Sequence, residues 1–139
     1  MKRLYLLDTN TVSYLVNGKS LAARGRLSSL GTDEIAAIST ITEGELRFGL
    51  ARFAVGQERL RAVELLLRRL KVLAWDHEAA GVYGTLRARQ AAQGKSLGPL
   101  DTLIAAHAVS VGATLVTSDK AFRSVVDLVA VENWATDLV

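Results

Sequence analysis

The chain has no cysteine and only two histidines, His77 and His107, but fourteen Asp and Glu residues. Thiolate chemistry is excluded, and a zinc site built on histidine has too few donors. Carboxylates remain as the groups able to do chemistry. Their physical use is specific. Two carboxylates about 4 Å apart repel by roughly 4 kcal/mol at an effective dielectric near 20. Three or four in one pocket raise one another's pKa and oppose folding unless a cation joins them. An all-oxygen set favours Mg²⁺, with Mn²⁺ able to substitute. Such an ion activates water and stabilises charge developing on a phosphate oxygen. The candidates are Asp8, Glu45, Asp101 and Asp119.

The elements that must position these acids follow from hydrophobic patterning. Five short β-rich runs stand out: Leu4–Leu7, Ile35–Ser39, Val72–Trp75, Thr114–Thr117 and Leu128–Val131. Most are apolar at consecutive positions, as in strands covered on both faces. Helical patterns separate them at Asn10–Val16, Leu21–Leu30, Glu43–Phe53, Gln57–Leu70, Ala79–Gln93 and Thr102–Val111. Gly31, Gly94 and Gly112 stand where helix C-caps belong. The alternation predicts an α/β protein, with a parallel sheet of four to five strands between helical layers. Ligands in such sheets bind beyond the carboxyl ends of the strands. Asp8 directly follows the first strand, Asp119 follows the fourth, and Glu45 lies in the first turn of the helix after the second. Topology brings these three to one edge but does not place Asp101.

A local role competes at each position. Asp8 could cap the helix that follows. Glu45 fits a capping box with Thr42. Asp101 could cap Thr102–Val111, and Asp119 could cap the turn through Phe122. Gly18-Lys19-Ser20 and Gly94-Lys95-Ser96 resemble the tail of a phosphate-binding loop, but the glycine needed five residues earlier is Ser13 or Arg89. His107 sits in an apolar helix and reads as packing.

Length and composition set the frame. The 139 residues, half of them hydrophobic, suit a single domain over 1–139. No run of about 18 apolar residues exists to span a membrane. The apolar run at the N-terminus stops at Asp8, too short for a signal peptide, so a cytoplasmic protein is expected. Net charge is +3, unevenly spread. From Leu46 to Lys71 seven basic residues face two acidic ones. That stretch, with Arg59, Arg61, Arg68 and Arg69, could line a nucleic-acid path or form a solvated helix face.

Four segments together carry a family resemblance. They are Leu6-Leu7-Asp8-Thr9-Asn10, Ser39 through Gly49 with Glu45-Leu46 at its centre, Asp101 through Ala108, and Thr114-Leu115-Val116-Thr117-Ser118-Asp119 followed by Phe122. In order and spacing the chain resembles the PIN-domain ribonucleases, specifically the VapC toxins of bacterial toxin–antitoxin pairs. The resemblance implies a three-layer α/β/α PIN fold and Mg²⁺-dependent endonucleolytic cleavage of RNA. It implies a homodimer and a small VapB-like antitoxin that covers the site. It assigns Asp8 and Asp101 as main metal ligands, Glu45 and Asp119 as completing the pocket, and Asn10 and Thr117 as orienting waters or ligands. The chain departs from the pattern at Glu43, where a small or apolar residue is common, and at Ser118, where Asn is common. Glu43 and Glu45 differ by about 200° of helix rotation, so both are not expected in one pocket. Two other readings are a PIN-like module that binds nucleic acid or a partner without cutting, and a phosphotransfer enzyme with Asp8 as nucleophile. The common form of the latter motif has a second Asp where this chain has Asn10.

Overall fold

The computed structural model describes residues 2–53, 56–94 and 97–138. Lys95 and Ser96, part of the second loop-like tripeptide, lie outside them. The element order is β1 (Arg3–Leu7), α1 (Thr9–Asn17), α2 (Leu21–Ser28), β2 (Glu34–Ser39), α3 (Thr40–Arg52), α4 (Gln57–Arg69), β3 (Lys71–Leu73), α5 (His77–Gln93), α6 (Pro99–Val111), β4 (Thr114–Val116) and β5 (Val131–Glu132), with a 3₁₀ helix at Lys120–Val125 before β5. All strand pairs are parallel, and the five-stranded sheet runs β3-β2-β1-β4-β5. The chain leaves β1 for β2 on one side, and β4 closes on the other. The crevice between outgoing connections therefore opens beyond the carboxyl end of β1.

Consecutive apolar residues in the strands serve two cores. In β1, Leu6 joins a cluster with Ala37, Leu86, Ile104 and Leu115 beneath α5 and α6. Tyr5 and Leu7 point the other way, to Val12, Leu15, Ile38, Leu66 and Val116 beneath α1, α2 and α4. Both faces are covered, giving the three-layer α/β/α arrangement expected from the pattern.

Several local expectations shift. The fifth strand is Val131–Glu132, not Leu128–Val131, and Leu128 is half exposed. Gly94 and Gly112 adopt the left-handed conformation that closes α5 and α6. Gly31 does not; α2 ends at Ser28 with Ser29 as its cap. Gly18, at φ +70°, closes α1 instead. Helix α3 starts at Thr40, capped by the Ser39 hydroxyl accepting from the Ile41 N–H at 3.1 Å. The expected Thr42–Glu45 capping box is absent, because Thr42 is already the third helical residue. Helix α6 starts at Pro99, so Asp101 lies in its first turn rather than capping Thr102.

The cap of α3 gives the first prediction. Ser39→Ala should lower stability by about 1 kcal/mol, the usual loss for an N-cap hydroxyl. The measurement is the urea midpoint at unchanged m-value. An unchanged midpoint would leave α3 without the cap described here.

Candidate active site

Asp8 is set by the sheet. Its backbone N–H donates to the Val116 carbonyl at 3.0 Å, which extends β1 against β4. Its side chain caps α1, Oδ1 accepting from the Thr11 N–H at 2.9 Å. Oδ2 accepts from the Thr117 hydroxyl at 2.5 Å. The expected capping role is therefore real, and it coexists with burial: Asp8 is 3% exposed. Thr117 is buried too and also accepts from the Asp119 N–H at 3.0 Å, linking the first acid to the last.

Glu45 sits in the second turn of α3. Its Oε1 accepts from the Thr9 hydroxyl at 2.6 Å. Thr9 starts α1 directly after Asp8, so one hydroxyl ties the second acidic segment to the first. Sequence reasoning missed Thr9, although its place beside Asp8 was the available signal. Glu43 leaves the helix elsewhere. It accepts twice from Arg47, at 2.8 and 3.1 Å, and Arg47 reaches Glu64 on α4.

Asp101 reaches the same region because Gly112 and Ala113 alone join α6 to β4. So short a connection makes the helix antiparallel to the strand, and the helix begins at the carboxyl edge of the sheet. Asp8, Glu45 and Asp101 line one cleft of about 320 Å³, together with Thr9, Asn10 and Pro99. Asn10 is exposed there. Asp119 is exposed and caps the 3₁₀ helix, Oδ1 accepting from the Ala121 N–H at 2.9 Å. It does not line that cleft, but its charge acts on both Asp8 and Asp101.

The electrostatics are one-sided. Burial raises the Asp8 pKa above the ordinary carboxylate value, although the Thr117 and Thr11 hydrogen bonds oppose the rise. The Asp101 pKa is raised first by burial, then by the charges of Asp8, Asp119 and Glu45. Among the described residues none of the four acids forms an ion pair. Nor, among those residues, do any three acidic or histidine side chains stand close enough to hold one metal ion as they are placed. The donor chemistry nonetheless fits a hard divalent cation: oxygen ligands only, mutual repulsion, and no ion pair among the described residues to relieve it.

Comparison with known proteins settles the family. The PIN domain model matches residues 5–128. A Rickettsia felis protein named Ribonuclease VapC2 is 32% identical over 132 residues, covering 94% of this chain and 98% of the relative. The Salmonella typhimurium tRNA(fMet)-specific endonuclease VapC is 35% identical over 130 residues, covering 94% and 97%. This chain belongs to the VapC family of PIN-domain proteins. Its fold superimposes on the crystal structure of Rickettsia felis VapBC2 bound to a DNA fragment from its promoter, with TM-score 0.88 and 30% identity over 94% of this chain and 98% of that one.

Among the expected basic residues, Arg59 lines a second cleft with Thr9, Glu45, Leu46, Phe53 and Val63. Arg69 lines a neighbouring one with Arg24. Arg61 and Arg68 are exposed and leave α4 roughly 180–200° from Arg59, so the four do not form one stripe.

Because both raised carboxyls hold protons more tightly folded than unfolded, their cost depends on pH. It is absent below the unfolded carboxylate pKa, about 3.9. It grows as pH rises through the raised folded values and is complete above them. Metal-free Asp101→Asn should therefore melt a few degrees above the parent chain at pH 7, and the gain should disappear toward about pH 4. Calorimetry at several pH values checks this. A gain that stayed constant with pH would mean the repulsion is not its source.

Proposed function

We propose that this VapC-family chain is a metal-dependent endoribonuclease, the toxin of a type II toxin–antitoxin pair. It acts as a single PIN domain over 1–139, and its RNA substrate implies the cytoplasm. The observation that carries the reading is the buried Asp8 carboxylate sharing one cleft with Glu45 and Asp101, none of the three ion-paired among the described residues. The names of the relatives support the same activity. Mg²⁺ is the proposed cofactor, with Mn²⁺ able to replace it, held by Asp8 and Asp101 with Glu45 and Asp119 completing the pocket. When bound, the ion supplies positive charge where negative charge builds on a phosphodiester.

The side chains then have distinct tasks. Thr117 and the Thr11 N–H fix the rotamer of Asp8. Thr9 holds Oε1 of Glu45, leaving Oε2 to accept a proton from the attacking water. Asn10, exposed in the cleft, orients phosphate or water. Arg59, which shares a cleft with Glu45, is the basic residue best placed to guide RNA toward the acids; Arg61, Arg68 and Arg69 contribute longer-range attraction.

A small antitoxin and a second copy of the chain are the proposed partners. The related crystal structure is of a VapBC pair. The cleft of Leu46, Leu50, Phe53 and Val63 offers an apolar seat bordering Glu45, and Phe53 in its lining stays exposed. A cation of the antitoxin reaching the acids would substitute for the metal's charge. The reading of a module that binds without cutting remains the alternative, separated from this one by cleavage with and without EDTA.

Asp8→Asn and Asp101→Asn should abolish RNA cleavage while leaving the circular dichroism spectrum unchanged. Glu45→Gln should lose most cleavage, whereas Glu43→Gln should cut like the parent chain. Full activity in excess EDTA would sink the metal reading, and an inactive Glu43→Gln would shift the site to the other glutamate.

A separate expectation concerns salt. The logarithm of RNA affinity of the Asp8→Asn protein should fall linearly with log salt, each phosphate contact adding about 0.7 to the slope for single strands. Arg59→Gln should flatten that slope more than Arg61→Gln does. Equal slopes for the two would remove Arg59 from the RNA path.

A further inference from the structure

On the other side of Pro99 lies a second cavity that the acidic site does not use. It measures about 230 Å³ and is lined by Tyr83, Arg87, Gln90, Leu97, Pro99 and Thr102. Pro99 forms a wall of both this cavity and the acidic cleft, and Asp101 precedes Thr102 on the same helical turn.

Its lining is built rather than incidental. Trp75 meets Tyr83 edge-on, with ring centroids 6.0 Å apart and planes at 75°. Trp75 is itself fixed by Nε1 donating to the Leu103 carbonyl at 2.9 Å. Arg87 donates to the Tyr83 hydroxyl at 2.9 Å, and its guanidinium lies 5.9 Å from the ring centre. Gln90 is 5% exposed, and its Nε2 is buried with no hydrogen-bond partner among the described residues. A buried amide donor left alone costs free energy that an arriving acceptor returns.

We propose that this cavity is a base-binding subsite, receiving an unstacked RNA base adjacent to the scissile phosphate. This place next to the phosphate rests on the nuclease reading above. A nucleobase has flat apolar faces and a polar edge, and the cavity offers the complement. Tyr83 with the Arg87 guanidinium supplies a stacking surface, Leu97 and Pro99 apolar walls, and the Gln90 amide a donor for the base edge. Gln90 is a specificity-determining residue here, because a base without an acceptor on the presented edge leaves the donor unpaired. Thr102 is occupied locally, donating to the Gly98 carbonyl at 3.0 Å, and shapes the floor.

The test uses the full chain in EDTA, titrated with each of the four nucleoside 5′-monophosphates while tryptophan fluorescence is followed. Trp75 reports on Tyr83, and Trp75→Phe identifies its share against the buried Trp134. A saturable quench by at least one monophosphate is expected. Gln90→Leu and Tyr83→Ala should each weaken it at least tenfold, and Asp101→Asn should keep it. Removing an unpartnered amide should not lower the melting point of Gln90→Leu. Should that variant fail to fold, Tyr83→Ala on the partly buried ring carries the same comparison. The second arm maps cut ends on a randomised RNA. Gln90→Leu should flatten the base preference at one position beside the cut.

No saturable quench, or equal affinity in the parent chain and Tyr83→Ala, overturns the subsite. So does RNA cutting with unchanged base preference in Gln90→Leu. Monophosphate binding by a chain that cuts no RNA would instead overturn the nuclease reading and leave the base site standing.

Discussion

A buried carboxylate that has no ion-pair partner among the described residues is the constraint around which this fold is arranged. Asp8 directly follows β1, the central strand of the sheet, and is almost wholly removed from water. Desolvation and, to a smaller extent, the charge of Asp119 favour its neutral form, yet two hydrogen bonds hold it in the geometry of an acceptor. The Thr117 hydroxyl stabilises the ionised state at the point where burial destabilises it most. That arrangement keeps an unstable charge in place rather than removing it, which suits a group awaiting a positive ligand.

The scaffold makes this tolerable. Strands apolar on consecutive residues feed two separate cores, so the sheet is anchored from both faces. Its carboxyl edge can then carry acids whose burial and mutual repulsion work against folding. Each acid comes from a different connection: Asp8 from the start of α1, Glu45 from α3, Asp101 from α6 and Asp119 from the turn after β4. None lies near another in sequence, and only the parallel topology brings them to one edge.

The elements legible in the sequence were those written in periodicity. The first four strands and all six α-helices were found with small boundary shifts, because apolar spacing reflects which face is buried. What depends on single hydrogen bonds was not legible. Ser39 and Thr42 are both competent caps, and only the end of β2 decides between them. Asp101 looked unplaced, although the two residues between α6 and β4 already required a helix starting at the carboxyl edge. The basic stretch was legible as charge but not as shape, since a sum over residues ignores the helix rotation that separates Arg59 from Arg61. The hydrogen bond from Thr9 to Glu45 spans 36 residues, so the one hint of it in the sequence is the place of Thr9 beside Asp8.

The two glutamates of α3 show how the same helix separates structure from chemistry. Glu43 is neutralised by Arg47, half exposed, and tied through it toward Glu64 on α4; such a pair contributes little free energy but orients the outer face. Glu45, about 200° around the helix, accepts from the neutral Thr9 hydroxyl and forms no ion pair among the described residues. Two chemically identical side chains thus differ in whether their charge is already satisfied. The satisfied one can be replaced by an uncharged residue with small consequence. The unsatisfied one keeps its charge available, and it borders both the acidic cleft and the apolar cleft beside Arg59. Whatever enters either cleft therefore meets the Glu45 carboxylate, so access to the two clefts converges on one side chain.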